Sequence, residues 1–267
     1  MSRHAGSLAV LASMACLAGS FSATAQSMPP NFAPNFAPSA DIGWYAYNRQ
    51  FIPPASGAGP VRQDPARPYV TNDEFRVTGR QPTQQLADLS APILKPWARE
   101  VVRKRNEIVL AGKPANTPQA SCWPVGVPGF LLRPMTQAMY FIQTPKVVVM
   151  ILSSKQEVRH IYLTDKHSPN VKPSWYGESI GHYEGSSLVV DTIGLPEGNV
   201  QGGGRRRPET RLTERFELAP DGKRLTITYT WDDPVLYVRP HTYQYFFERL
   251  PPDSYAFETW CDSSDPT

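Results

Sequence analysis

The sequence predicts a mostly β protein, built as an antiparallel up-and-down barrel or a strongly curved sheet, with a proline-rich arm and one amphipathic helix in front of it. Three observations predict it. After Cys122 the hydrophobic period is two, in short β-branched or aromatic runs bounded by turn residues. Strand–helix–strand alternation is missing, which argues against a doubly wound parallel sheet. The chain also holds 28 prolines, roughly twice the usual ~5% share, and these restrict helices and central strands.

Residues 1–25 read as a cleavable signal peptide. Arg3 and His4 give a basic start, Leu8 to Leu17 an apolar stretch, and Ala23-Thr24-Ala25 a small-x-small cleavage site. The mature chain is therefore expected in the periplasm or outside the cell. The apolar stretch is shorter than the roughly 20 residues a membrane span needs, and no other stretch is long enough. The net charge of +3 is slight, so neither nucleic acid nor an anionic membrane is an expected partner. Nothing in the pattern speaks to oligomeric state.

Residues 26–89 form the arm. It carries a tandem repeat, Asn31-Phe32-Ala33-Pro34 followed by Asn35-Phe36-Ala37-Pro38, and is expected to be extended or disordered. The cluster Trp44, Tyr45 and Tyr47 is too aromatic for a linker and is expected to dock on the core. Residues 90–112 form the helix. Leu94, Trp97, Ala98, Val101, Val102 and Ile108 recur at helical spacing, Pro96 suits a first turn, and Gly112 suits the residue past the end. Arg99, Arg103, Lys104 and Arg105 are assigned to a solvated face.

Residues 120–262 form the β domain. Candidate strands are Met139–Gln143, Val147–Leu152, Val158–Leu163, Leu188–Ile193, Leu212–Leu218, Leu225–Trp231, His241–Arg249 and Tyr255–Trp260. Pro220-Asp221-Gly222 is a hairpin turn. Eight such strands make a lipocalin-like barrel, a size that holds one small ligand. Removal of the leader leaves Cys122 and Cys261 near the two ends of this domain. In an oxidising compartment they are expected to pair, and the closed loop would contribute about 4 kcal/mol.

Strand alternation assigns faces. Glu214 shares a face with Leu212, Phe216 and Leu218, and Asp191 with Val189 and Ile193, so both carboxylates are expected to point into apolar surroundings. A carboxylate there is paired, hydrogen-bonded or neutralised by a raised pKa, the last being how general acids are tuned. The alternative is a structural ion pair with Arg159, Arg215 or Arg239, or bonds to turn amides. The segment Ser174–Gly185 packs Trp175, Tyr176, Glu178, Ser179, His182, Tyr183 and Glu184 among three glycines, and reads as a loop that walls a pocket or caps one barrel end. Gly177-Glu178-Ser179-Ile180-Gly181 matches G-x-S-x-G, but it lacks the strand before and the helix after that a nucleophile elbow requires. His160, His167, His182 and His241 show no metal-ligand spacing, so no metal is expected, and no nucleotide-cofactor motif is present. The run Arg205-Arg206-Arg207 after Gly202-Gly203-Gly204 reads as a solvated hairpin tip.

Several of these stretches together resemble a group of secreted proteobacterial proteins with no assigned reaction. They are Cys122-Trp123-Pro124-Val125-Gly126-Val127-Pro128, Tyr140 to Pro145, Val158 to Tyr162, Ser174 to Gly194, Thr213-Glu214-Arg215-Phe216 and Asp232-Asp233-Pro234. The resemblance runs from about Val70 to Cys261 and implies a secreted single domain. It adds no catalytic residue. Ser186-Ser187 stands where the group more often has Asp-Thr or Asp-Ser, so no role for an acid at 186 carries over.

The expectation is a barrel enclosing a small apolar or aromatic molecule. If it is catalytic, the chemistry is cofactor-free proton transfer of the isomerase, dehydratase or lyase type. His182 and Glu214 are the acid–base candidates and Asp191 orients. Tyr176 or Tyr183 polarises an oxygen, Trp175 packs on the ligand, and Glu178, Arg159 and His241 complete the lining. The alternatives are a non-catalytic carrier, a serine hydrolase acting through Ser179, and a structural envelope protein contacting a partner through its arm.

Overall fold

The computed structural model describes residues 32, 44–45, 61–83, 86–112, 123–124, 126–127, 129, 139–152, 157–199, 205–206 and 208–249. Eight strands carry the fold: β2 (Met139–Gln143), β3 (Val147–Leu152), β4 (Glu157–Leu163), β5 (Glu178–Glu184), β6 (Ser187–Ile193), β9 (Arg211–Leu218), β10 (Arg224–Asp232) and β11 (His241–Arg249). A short β1 (Trp44–Tyr45) joins them, and β7 (Gly198–Asn199) pairs with β8 (Arg205–Arg206) in a two-stranded ribbon between β6 and β9. Three predicted strands keep their bounds and four extend by a residue at one or both ends. Period two is the cause: in β10 every second residue from Leu225 to Trp231 is buried and the residues between are half-exposed.

The strands form one strongly curved sheet in the order β11-β10-β9-β6-β5-β4-β3-β2. Trp44 of β1 closes the ring by pairing with Arg249 of β11 and Met139 of β2. Closure removes the unpaired edges an open sheet would present. The predicted turn at Pro220–Gly222 links β9 to β10, with the Gly222 amide donating to the Ala219 carbonyl at 2.8 Å. Two expectations need correction. The up-and-down order breaks at β4 and β5, which are parallel from Ile161↔Ser179 to Leu163↔Gly181. The chain therefore crosses back along the barrel through residues 164–177 before β5 starts. In addition, the segment read as a glycine-rich loop is itself strand β5.

Glycine in β5 has two separate jobs. Gly177 (φ 63°) turns the crossover into the strand, and a Cβ there would lie 2.4 Å from the Ile193 carbonyl oxygen. Gly181 lies within the strand, where a Cβ would meet Ile161 Cγ2 at 2.9 Å and the Val189 carbonyl oxygen at 3.2 Å. Its residue type answers to crowding inside the barrel rather than to a turn.

Helix α2 (Pro96–Leu110) starts at the predicted proline, and the segment just before it, Ile93 to Lys95, pairs with the β10–β11 connection. The Lys95 amide donates to the Leu236 carbonyl and the Val238 amide to the Ile93 carbonyl. Its buried face holds Ala98, Asn106 and Val109, while Trp97, Val101 and Ile108 are substantially exposed. Asn106 binds both backbone groups of Ala87, at 3.0 and 2.8 Å. Among its described residues the arm is not extended throughout. It contains α1 (Asn72–Thr78), with Thr71 as N-cap and left-handed Gly79 closing its end. Phe32 and Trp44 are core residues.

The signal-peptide stretch 1–25, the predicted strand 255–260, Gly202–Gly204 with Arg207, and both Cys122 and Cys261 lie outside the described residues. Among the described residues no helix is long and apolar enough to cross a membrane.

Candidate functional site

Four polar side chains meet inside the barrel, one each from β4, β5, β6 and β9. Arg159 Nη1 donates to Glu214 Oε1 at 2.9 Å and Nη2 donates to Glu214 Oε2, a bidentate pair. Nη2 also donates to Ser179 Oγ and Thr192 Oγ1, each at 3.0 Å, and the two hydroxyls share a hydrogen bond of 2.9 Å. Arg159 and Glu214 are fully buried. Taking both charges out of water costs several kcal/mol, which only this dense bonding offsets.

An aromatic wall faces the quartet. Tyr229 lies opposite Glu214 on one side and Tyr243 on the other. The Tyr229 and Tyr243 rings stack at 5.0 Å, and Tyr245 meets Tyr229 edge-on at 6.0 Å. Burial raises the Tyr229 hydroxyl well above its ordinary pKa, and the charge of Glu214 adds to this, so it remains a proton donor. Two cross-strand pairs along, on the same face, Trp231 lies opposite His241, whose ring meets Tyr237 edge-on at 4.6 Å. The Tyr229 hydroxyl, the Trp231 indole nitrogen and His241 Nδ1 are buried and have no hydrogen-bond partner among the described residues. Three such atoms on the inner face of two adjacent strands are unusual, because buried polar groups are nearly always bonded.

The sequence-derived candidates divide between the two faces of the sheet. Glu214, Arg159 and His241 are inside. Asp191 is on the outer face, contrary to expectation. Arg211 grips it at 2.6 and 2.7 Å, and His167 bridges it to Glu178 at 2.9 Å on each side. His182 is also outside, 57% exposed and 3.1 Å from Glu184. Its proposed acid–base partnership with Glu214 is not formed, and Asp191 orients neither residue. Tyr176 donates to Glu157 Oε2 at 2.8 Å, and the ring of Trp175 packs at 5.6 Å on Trp123. Tyr183 accepts from Gln143 Nε2 at 2.9 Å. It lines, with His182, Gln143, Leu163 and Asp165, an open groove of about 640 Å3 at the barrel end that carries the β2–β3 turn. Ser179 is buried against Arg159 and Thr192 with no imidazole among its partners, so the serine-nucleophile arrangement is not formed.

Sequence reading missed Thr192, Tyr229, Trp231 and Tyr243. Their strands were predicted, and the shared face of Tyr229 and Trp231 with Leu225 was the available signal; their unpaired atoms were not legible before the strands were assembled.

Burial pushes the His241 imidazole down to about 4. An unfolded histidine titrates near 6.5. Between those values the unfolded chain holds the proton and the fold does not. Stability from this residue is therefore complete above pH 6.5 and falls as pH drops toward 4, by about 3 kcal/mol in total. Urea unfolding at pH 7.5 and pH 4.5 should show this loss, and His241→Phe should remove about that much of the wild-type pH dependence.

The fold and its inner wall define a class: a curved β-barrel protein, compatible with ligand binding, whose interior combines a buried ion pair with rows of tyrosine. No protein-family model matches the chain, and no curated protein is similar to it.

Proposed function

We propose that this is an exported binding protein whose barrel interior takes one small, flat, uncharged aromatic molecule bearing a hydrogen-bond acceptor. The observation that carries the reading is the row of unpaired buried atoms at Tyr229, Trp231 and His241. The Trp231 indole N–H is a fixed donor and the Tyr229 hydroxyl can donate beside it, which suits a carbonyl or ether oxygen, and the surrounding rings suit a planar ligand. Binding is favoured over proton-transfer chemistry because Arg159 holds both oxygens of Glu214. The leader at 1–25 and the likeness of Ser174–Gly194 to a secreted proteobacterial group support export.

The test is fluorescence titration of the mature protein with prodan, a neutral naphthalene ketone. Saturable one-to-one uptake with a blue shift is expected. Tyr229→Phe and Trp231→Phe should each weaken it about tenfold, the worth of one buried hydrogen bond, while His182→Ala leaves it unchanged. Absence of saturable uptake, or uptake indifferent to Tyr229 and Trp231, overturns the reading.

A further inference from the structure

Exposed apolar side chains concentrate around helix α2. Of the eleven large hydrophobic residues exposed among the described residues, seven lie on α1, α2 or the β10–β11 connection. On α2 these include Trp97, Val101 and Ile108, which are 41%, 42% and 47% exposed. Trp97, Val101, Lys104 and Ile108 follow one another at steps of four, three and four. They therefore form a single ridge along the helix, about a third of a turn from the buried residues Ala98, Asn106 and Val109. The ridge has exposed apolar neighbours at both ends. Val238 is near the helix start, where its amide donates to the Ile93 carbonyl. Phe75 and Val77 are on α1, and Gln81, just past that helix, donates to the Val109 carbonyl at 2.9 Å. Single exposed apolar residues are ordinary on a protein surface, whereas a connected row marks a contact.

The charges among these residues give the chemistry of that contact. Each apolar group has an exposed base within it: Lys104 between Val101 and Ile108, Arg76 between Phe75 and Val77, and Arg239 next to Val238. The acids Glu74, Glu100 and Glu107 are each held by an arginine, Arg80 for the first and Arg103 for the other two. Positive charge beside exposed tryptophan and aliphatic side chains is the make-up of a helix that lies in the surface of an anionic bilayer. The indole suits the headgroup level, and a lysine set among apolar side chains reaches the phosphates along its own stem. The ridge stands on the outside of a helix, a convex shape that fluid lipid follows. The chain's net charge of +3 conceals this, because it averages over the whole sequence. We propose that α2 docks the protein on an anionic phospholipid surface, with Trp97, Val101 and Ile108 at the acyl boundary and Lys104 at the phosphates. At 15 residues the helix lies on the bilayer and does not span it. Docking does not use the barrel interior, so it stands apart from the small-molecule reading.

Flotation of the mature protein with vesicles of equal parts phosphatidylglycerol and phosphatidylcholine tests it, with pure phosphatidylcholine vesicles as the reference. Partition is expected to be at least about tenfold stronger on the anionic vesicles and to fall as salt is raised. Val101→Glu/Ile108→Glu should weaken it at least about tenfold, while Tyr162→Glu, at an exposed position on the outer face of β4, should leave it unchanged. Equal partition into both kinds of vesicle, or equal losses in the two variants, overturns the proposal. A milder variant covers the case in which the glutamates disturb folding. Vesicles made with dibrominated phosphatidylglycerol should quench part of the tryptophan emission, and Trp97→Phe should abolish that part. Quenching that is absent, or unchanged in Trp97→Phe, rejects α2 as the docking element. Sedimentation without lipid should show a monomer; a dimer that Ile108→Glu disperses would assign the ridge to a second copy and overturn the membrane assignment.

Discussion

Arg159→Met is expected to destabilise the barrel by about 3–5 kcal/mol, the usual cost of removing one partner from a buried ion pair. The loss comes less from the missing attraction than from what stays behind. Glu214 is fully buried and both its oxygens are bonded to Arg159, so the substitution strands a carboxylate without its donors. Ser179 and Thr192 lose a donor at the same time. Glu214→Leu strands the guanidinium and should cost a similar amount. The double variant Arg159→Met/Glu214→Leu is expected within about 1 kcal/mol of the wild type, since no charge then needs compensation. Urea unfolding of the four proteins forms a double-mutant cycle, and a coupling energy of several kcal/mol is the expected reading. Additive losses would show that the two residues do not act as one buried unit.

Trp44→Ala carries an effect of comparable size, about 3–5 kcal/mol. Trp44 is completely buried, its ring lies 4.5 Å beneath the Arg249 guanidinium, and its indole holds the Phe32 carbonyl. Its backbone spans the seam between β2 and β11. Two residues of strand cannot hold that seam by backbone bonds alone; the side chain anchors them. Hydrogen exchange should therefore quicken at Met139 and Arg249 in the variant, while the β9–β10 ladder stays protected. Trp44→Phe keeps most of the packing and should cost about a third as much. Unchanged exchange at the seam in Trp44→Ala would show that the ring closes without this anchor.

Strand positions were legible because alternation is local: the residues of β10 bury alternately whatever the neighbouring strands are. The helix start was legible because Pro96 declares it. Strand β5 was not, because Gly177, Gly181 and Gly185 read as loop residues, whereas Gly181 is there for the methyl of Ile161 and the carbonyl of Val189 that crowd it. The face of β6 misled for a related reason. Both of its faces carry aliphatic residues, so period two fixes the alternation but not which set turns inward. Leu188, Val190 and Thr192 do, and Asp191 with Val189 does not.

Thr192 shows why no reading of β6 alone settles that choice. A buried threonine is tolerated inside the barrel because Arg159, 33 positions earlier in the chain, donates to it. Glu214 is tolerated for the same reason, across 55 positions. The residues themselves set which segments become strands, through side-chain size and period. Which polar atoms meet in the interior, and which of them are left without a partner, depends on the parallel β4–β5 step and on closure by β1. Both are long-range pairings, and they decide the desolvation and hydrogen-bond balance of every inward-facing group at once.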